Sequence, residues 1–250
     1  MVSPHINKWT DREVEAHWDR VADIYVRENE RVKKTHDQRF RESVRLLRLK
    51  PGMRVLNITS RDGEAADYIA REEPGCRVVN AEISSGLMRV AAGLRPDIDQ
   101  VKIKTYSRLP FRDREFDRIL SLETLEHVAE PYRFLEELHR VSVDDAVMVL
   151  SCPPATSEWP YRIYTALFGG HGEGPHRFLP SREVKHMLRE TGWKPIYHKG
   201  TLLFPVGPDW LLAMGEKIID RCQGSFVAEW GIRQFYCCEK TKREKIEDRS

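Results

Sequence analysis

"RVLNITSRDGEAADYI" (Arg54–Ile69) reads as a short buried strand, a tight turn and the opening of a helix. An apolar run of strand length that turns at once into helical residues begins a strand–helix–strand unit. The chain then repeats the unit. "CRVVNAEI" (Cys76–Ile83) reads as a strand, and "SSGLMRVAAGL" (Ser84–Leu94) as a helix opened by a serine cap. "VKIKTY" (Val101–Tyr106) and "FDRILSL" (Phe116–Leu122) read as the third and fourth strands. "EPYRFLEELHRV" (Glu130–Val141) reads as a helix, and "AVMVLSCP" (Ala146–Pro153) as the fifth strand. Apolar strands alternating with helices imply a parallel sheet covered on both faces.

The flanks complete one domain over residues 1–250. "TDRE" (Thr10–Glu13) fits a capping box, and residues 10–49 read as two helices. The first carries Trp18, Val21, Ala22 and Tyr25 at helical spacing, and the second carries Phe40, Val44 and Leu47. "KPG" at Lys50–Gly52 ends the second. Residues 154–180 are rich in Gly, Pro, His and aromatics and read as a lid over the carboxyl edge of the sheet. "SREVKHMLRETGW" (Ser181–Trp193) reads as a capped helix and "KPIYHKGTLLF" (Lys194–Phe204) as a strand. "PDWLLAMGEKIIDRC" (Pro208–Cys222) is a helix with Pro in its first turn, and "GIRQFYCCEK" (Gly231–Lys240) is the last strand. The charged residues 241–250 read as a frayed tail.

Composition narrows the function. With 41 basic and 39 acidic residues the net charge is +2, so electrostatics gives no reason to expect a nucleic-acid or membrane-surface partner. No apolar run reaches the roughly 20 residues a bilayer span needs. The N-terminus lacks the apolar core of a signal peptide. A cytoplasmic protein is therefore expected, with its oligomeric state open. The cysteines number five and include no C-x-x-C pair, which suggests reduced, mostly buried thiols.

In "LPFRDREFDRILSLETLEHVAEPYRFLEELHRV" (Leu109–Val141) an L-P-F turn, an F-D strand start, an E-H pair and an E-x-x-R-V helix end follow in series. In this segment, and more broadly from Val14 to His198, the chain resembles class I S-adenosylmethionine (SAM)-dependent methyltransferases of the ubiquinone and menaquinone branch. The resemblance implies a Rossmann-like, mainly parallel seven-stranded sheet whose last strand is antiparallel, SAM as cofactor and a small-molecule acceptor. It places Asn57, Thr59, Ser60, Arg61, Gly63, Glu82, Ile83, Met88, Thr105, Tyr106, Leu122 and Glu123 beside the cofactor. Glu82 ends the second strand roughly 20 residues after the first turn, where a carboxylate can hold both ribose hydroxyls.

The family's first turn reads V-L-D-I-G-C-G-T-G. Here two of its glycines are Thr59 and Arg61, and its aspartate is Asn57. Thr105 stands where the family often has an aspartate that accepts from the adenine amino group. Two accounts fit. Either the loop is reshaped and SAM still binds, with Arg61 or Ser60 reaching its carboxylate, or Arg61 fills the pocket. The first is the favoured expectation. The second would leave a methyltransferase-like protein that acts as a regulatory or structural partner or binds another ligand.

Tyr25, His36, Arg39, Tyr161, Tyr164, His171, His176 and Arg177 are candidate walls for the acceptor. His127 is either a general base, given its near-neutral reference pKa, or a structural hydrogen-bonding residue. "HGEGPH" (His171–His176) offers too loose a loop for a zinc site, so no metal is expected. G-x-G-x-x-G, P-loop and G-x-S-x-G motifs are all absent.

Overall fold

The computed structural model describes residues 7–31, 33–159, 174–203, 208–222 and 226–241. Helices α1 (Asp11–Arg31) and α2 (Lys33–Leu47) precede β1 (Arg54–Ile58), α3 (Glu64–Glu72), β2 (Arg77–Glu82), α4 (Ser85–Leu94) and β3 (Asp99–Lys102). Then come β4 (Phe116–Leu122), α5 (Pro131–Val141), β5 (Ser142–Cys152), α6 (Ser181–Glu190), β6 (Trp193–Thr201), α7 (Asp209–Arg221) and β7 (Arg233–Lys240). The sheet has seven strands in the order β3-β2-β1-β4-β5-β7-β6. β7 runs antiparallel between β5 and β6, and the other pairings are parallel. This is the Rossmann-like α/β sheet the sequence implies.

The two-residue period of the strands sorts their side chains between two apolar layers. Leu56, Ile58, Ile119, Met148, Leu150, Tyr236 and Cys238 pack on one side with α1, α4, α5 and α6. Val55, Leu120, Leu122, Val147, Val149, Phe235 and Cys237 pack on the other with α2 and α3. The adjacent Cys237 and Cys238 thus face opposite layers, and all five cysteines are free thiols. Among the described residues no helix is long and apolar enough to cross a membrane.

The capping box forms as read. The Thr10 amide donates to the Glu13 carboxylate at 2.7 Å, and the Glu13 amide donates to Thr10 Oγ1 at 3.3 Å. Ser84 caps α4 by accepting from the Leu87 amide at 3.0 Å.

Several boundaries differ from the sequence reading. β3 covers Asp99–Lys102, not Val101–Tyr106, because the next residues leave the sheet to meet α1. There the Thr105 hydroxyl and the Tyr106 amide both donate to Asp11 Oδ2, at 2.5 and 2.9 Å. β5 begins four residues early, at Ser142. Ser181 opens α6 from inside the helix, and the cap position is Pro180, which offers no side-chain acceptor. Pro208 is likewise the cap residue of α7 and not a first-turn residue. Tyr161, Tyr164 and His171, and most of the segment read as a lid, lie outside the described residues. The two ends of that segment meet: Pro154 bridges Leu179, and the Ala155 amide donates to the Leu179 carbonyl at 3.3 Å.

Candidate functional site

Ligands of open parallel sheets sit beyond the carboxyl ends of the strands. At that edge the turn after β1 keeps a glycine-like backbone without the glycines. Thr59 and Arg61 have φ of 60° and 55°, and Gly63, which caps α3, has 79°. A side chain at such angles costs about 1–2 kcal/mol, so the turn is held by its surroundings. A Cβ on Gly63 would lie 2.5 Å from Ile98 Cδ1, so a side chain here would combine a strained dihedral with a shift of the Ile98 side chain.

Glu82 does much of the holding. It is fully buried. Its Oε2 accepts from the Arg61 amide at 2.8 Å, and its Oε1 accepts from the Ile83 and Ser84 amides at 2.8 and 2.9 Å. Burial pushes its carboxyl above the usual range, while the Arg61 charge and the three amides act in the opposite sense. Asn57, the former aspartate position, donates to Asn80 Oδ1 at 2.8 Å and so braces β1 against β2.

The Arg61 side chain turns inward. Its guanidinium lies 3.4 Å from the centroid of the Trp18 ring, only 8% of the residue is exposed, and its Nη1 has no hydrogen-bond partner. The turn is left-handed at Thr59 and Arg61, and the Arg61 side chain occupies the space beneath α1. The favoured expectation has Arg61 or Ser60 reach the ligand carboxylate; here the Arg61 guanidinium rests on Trp18 and Ser60 Oγ is buried without a partner.

Helix α1 covers the same edge. Asp19 Oδ1 accepts from Ser84 Oγ at 2.7 Å and from the Gly86 amide at 2.8 Å. Lys102 donates both to Glu15 and to the Ile83 carbonyl. The Tyr106 amide and Thr105, expected at the adenine, are engaged by Asp11. Met88 is half-buried, and Ile83 and Leu122 are buried. The sequence reading expects the N-terminal helices over the substrate, but it takes Trp18 only as one residue of an apolar stripe. The capping box, which fixes where α1 begins, was the signal that could have located Asp11 and Trp18.

His127 is buried, and burial holds its pKa down at about 3, with the Arg61 charge adding to the effect. The ring is therefore neutral near pH 7. Its Nδ1 pairs with the Pro175 carbonyl at 2.7 Å, which makes Nδ1 the protonated nitrogen. It meets the Trp18 ring edge-on at 5.6 Å and the His176 ring at 6.1 Å. Arg177 is tied to Glu183 and, at 3.3 Å, to Asn7 Oδ1. Its amide donates to the Glu126 carbonyl at 3.0 Å. The described end of the 154–180 segment is thus pinned to the loop after β4.

A second group of charged and aromatic side chains lies over β4, β5 and β7. Glu123 has φ 49° and accepts from Ser151 Oγ at 2.7 Å and from Arg233 Nε at 3.0 Å. It faces β5 and β7 here, not the loop after β1. His36 and Arg39 stand on α2, with Arg39 Nη2 donating to His36 Nδ1 at 3.2 Å. Burial is the main cause of a His36 pKa near 2. Tyr25 is partly buried and packs edge-on against Trp18 at 6.1 Å. Among the described residues no cluster of three or more His, Cys, Asp or Glu is placed to hold a metal ion; His171 and Glu173 of the histidine loop lie outside them.

This donor set fits SAM. A carboxylate sits at the end of β2, a left-handed turn passes beside it, and Ser60 Oγ, Arg61 Nη1 and Trp18 Nε1 are buried polar atoms with no partner. The Arg61 and Trp18 side chains stack together in front of these groups.

Known proteins agree. Residues 30–198, about two thirds of the chain, match the methyltransferase domain family. A ubiquinone biosynthesis O-methyltransferase of Dinoroseobacter shibae is 27% identical over 177 residues, 65% of this chain and 68% of that one. A demethylmenaquinone methyltransferase of Renibacterium salmoninarum is 31% identical over 155 residues, 61% of this chain and 64% of that one. Among solved structures, the [4+2]-cyclase SpnF superposes with a TM-score of 0.67 at 15% identity, covering 94% of this chain and 98% of its own. A SAM-dependent methyltransferase of Thermotoga maritima superposes with 0.64 at 16% identity, covering 91% and 99%. On its sheet order, its β2 carboxylate and this match, the chain belongs to the methyltransferase domain family.

Proposed function

We propose that this chain methylates a small molecule seated over β4, β5 and β7, with SAM lying against Glu82 and the turn after β1. The observation that carries the reading is the Glu82 network. A fully buried carboxylate is aimed by three amides beside a turn that keeps left-handed angles at the cost of strain. Strain of this kind persists where function requires the shape.

When bound, SAM supplies an electrophilic methyl group on a positively charged sulfur. The residues have only to bring an acceptor atom into line with it and exclude water. Glu82 has one lone-pair direction left on Oε2 for a ribose hydroxyl. Buried and short of full solvation, it makes that bond stronger than an exposed acid would. His127, neutral and donating to Pro175, serves as a positioning residue that fixes the described end of the lid segment. A pKa near 3 makes it a weak base. His127→Asn, whose Nδ2 can replace the Nδ1 donor, is expected to keep methyl-transfer rates within about threefold and leave the pH profile unmoved. A rate loss that tracks a titration near neutrality would restore the general-base role.

Calorimetry with S-adenosylhomocysteine (SAH) tests the cofactor assignment. Glu82→Ala is expected to weaken binding by roughly 10-fold to 100-fold, as loss of a charged hydrogen-bond partner does. Unchanged affinity in a folded variant would remove Glu82 from the site.

One observation favours a second reading. The cleft is filled by Arg61 and Trp18, and the Tyr106 amide is already engaged by Asp11. A chain fixed in this state would be a non-catalytic family member acting through a partner or another ligand. Calorimetry with SAH on the parent chain separates the two: binding supports the methyl-transfer reading, and no binding supports the non-catalytic one.

A further inference from the structure

We infer that the methyl acceptor carries an anionic oxyacid group, a carboxylate or phosphate, and that Arg39 and Arg233 hold it. The inference rests on the methyl-transfer reading only for the word acceptor; the anion site stands on its own residues.

Arg39 and Arg233 are 8% and 7% exposed. Each keeps a buried N–H with no partner, Nε of Arg39 and Nη1 of Arg233. Their remaining contacts leave positive charge in excess. Arg233 Nε donates to Glu123, which also accepts from Ser151. Arg39 Nη2 donates to the neutral ring of His36. Among the described residues, the two buried guanidiniums therefore have one hydrogen-bonded carboxylate between them, Glu123 on Arg233. Asp62 and Glu64 act on Arg39 only through their field, and Asp62 is already 3.6 Å from Arg95. Glu126 acts on Arg233 in the same way. The two arginines feel one another, and both depress His36.

Burying a guanidinium with unmet donors costs stability that apolar residues would not. Such a pair is explained by an anion that supplies the missing acceptors. Arginine, with its planar fork, is the side chain suited to a carboxylate or phosphate.

Topology puts the pair where an acceptor belongs. Arg233 opens β7, whose Gln234 lies opposite Cys152 at the carboxyl end of β5. The far end of α2 lies at the start of β4, where Arg118 Nε donates to the Leu47 carbonyl at 2.7 Å. The first half of α2, with His36 and Arg39, is therefore at the carboxyl edge. Glu82, at the end of β2, is separated from Arg233 on β7 by β1, β4 and β5.

Inorganic phosphate and benzoate serve as probes, read by thermal shift and calorimetry on the full chain with and without SAH. Both are expected to bind the parent in the millimolar range. Arg39→Gln and Arg233→Gln are each expected to weaken the better probe at least 10-fold while leaving SAH affinity within about twofold. Arg39→Lys and Arg233→Lys, which keep charge and bulk, are expected to fold and retain part of the binding, and they decide the matter if the Gln variants do not fold. Phosphate binding tighter than benzoate assigns a phosphorylated acceptor, and the reverse assigns a carboxylic acid. No anion binding to the parent, or equal binding by folded variants, overturns the inference even if SAH binds. Anion binding without SAH binding upholds this site and overturns the methyl-transfer reading instead.

Discussion

At the scale of single residues, Thr59 and Arg61 decide how this site differs from the pattern its sequence resembles. Both keep a glycine's dihedrals, so the backbone shape persists and only side-chain volume is new. Arg61 places that volume on the Trp18 ring, a contact worth about 0.5–2 kcal/mol, and next to Glu82. Replacing it with glycine removes the obstruction and relieves backbone strain together. Arg61→Gly is therefore expected to tighten SAH binding by about tenfold, roughly 1.4 kcal/mol, as measured by calorimetry. Weaker binding would mean that Arg61 swings out to contact the ligand, as the sequence alone favoured, and stronger binding would not by itself say how the parent opens. Asn57, Gly63 and Glu82 could be located from sequence because strand ends fix their places. The direction of the Arg61 side chain could not, since it depends on Trp18, which is 43 residues away in the chain.

At the scale of elements, α1 is a cover whose seat is shaped by one glycine. A Cβ on Gly86 would lie 2.9 Å from the Ala22 Cβ and 3.2 Å from the Asp19 carbonyl oxygen. Gly86→Ala must push α1 off α4, and overpacking of this kind costs about 1–3 kcal/mol. Amide exchange across residues 11–31 is expected to rise in that variant. SAH is also expected to raise exchange there in the parent if the ligand enters by lifting α1. Unchanged exchange in Gly86→Ala would show that α1 is not seated by this contact. The existence of α1, its start at the capping box and its apolar stripe were legible, as were β1, β2, β4 and all the helices after them. Periodicity and caps are local signals. What α1 covers was not legible, because a stripe of Trp18, Ala22 and Tyr25 reads the same against any apolar layer. The end of β3 was misjudged for a related reason: Thr105 and Tyr106 suit a strand by propensity, but the Asp11 carboxylate draws them out of the sheet.

At the scale of the whole molecule, the same packing couples stability to pH. His127 and His36 are held at about 3 and about 2, and His198 is lowered as well, with burial the main cause in each. A depressed folded-state pKa means that the unfolded chain binds more protons between the two values, so stability is intact above about pH 6.5 and falls as the pH drops below it. The loss approaches about 1.4 kcal/mol per pH unit for each histidine held neutral. Glu82 and Asp62 act in the opposite sense, because their folded-state pKa values are raised. They take up protons in the folded chain before the unfolded one would, and so offset part of the loss. Between pH 6.5 and about 5 the two most strongly shifted histidines, His127 and His36, set the expected slope. Urea unfolding is expected to lose roughly 2–4 kcal/mol across that window. His127→Asn, which cannot titrate there, is expected to remove about one histidine's share of the slope. A urea midpoint that is flat from pH 6.5 to 5 would mean that His127 and His36 titrate in the folded protein, and that the covered edge of the sheet is open to water.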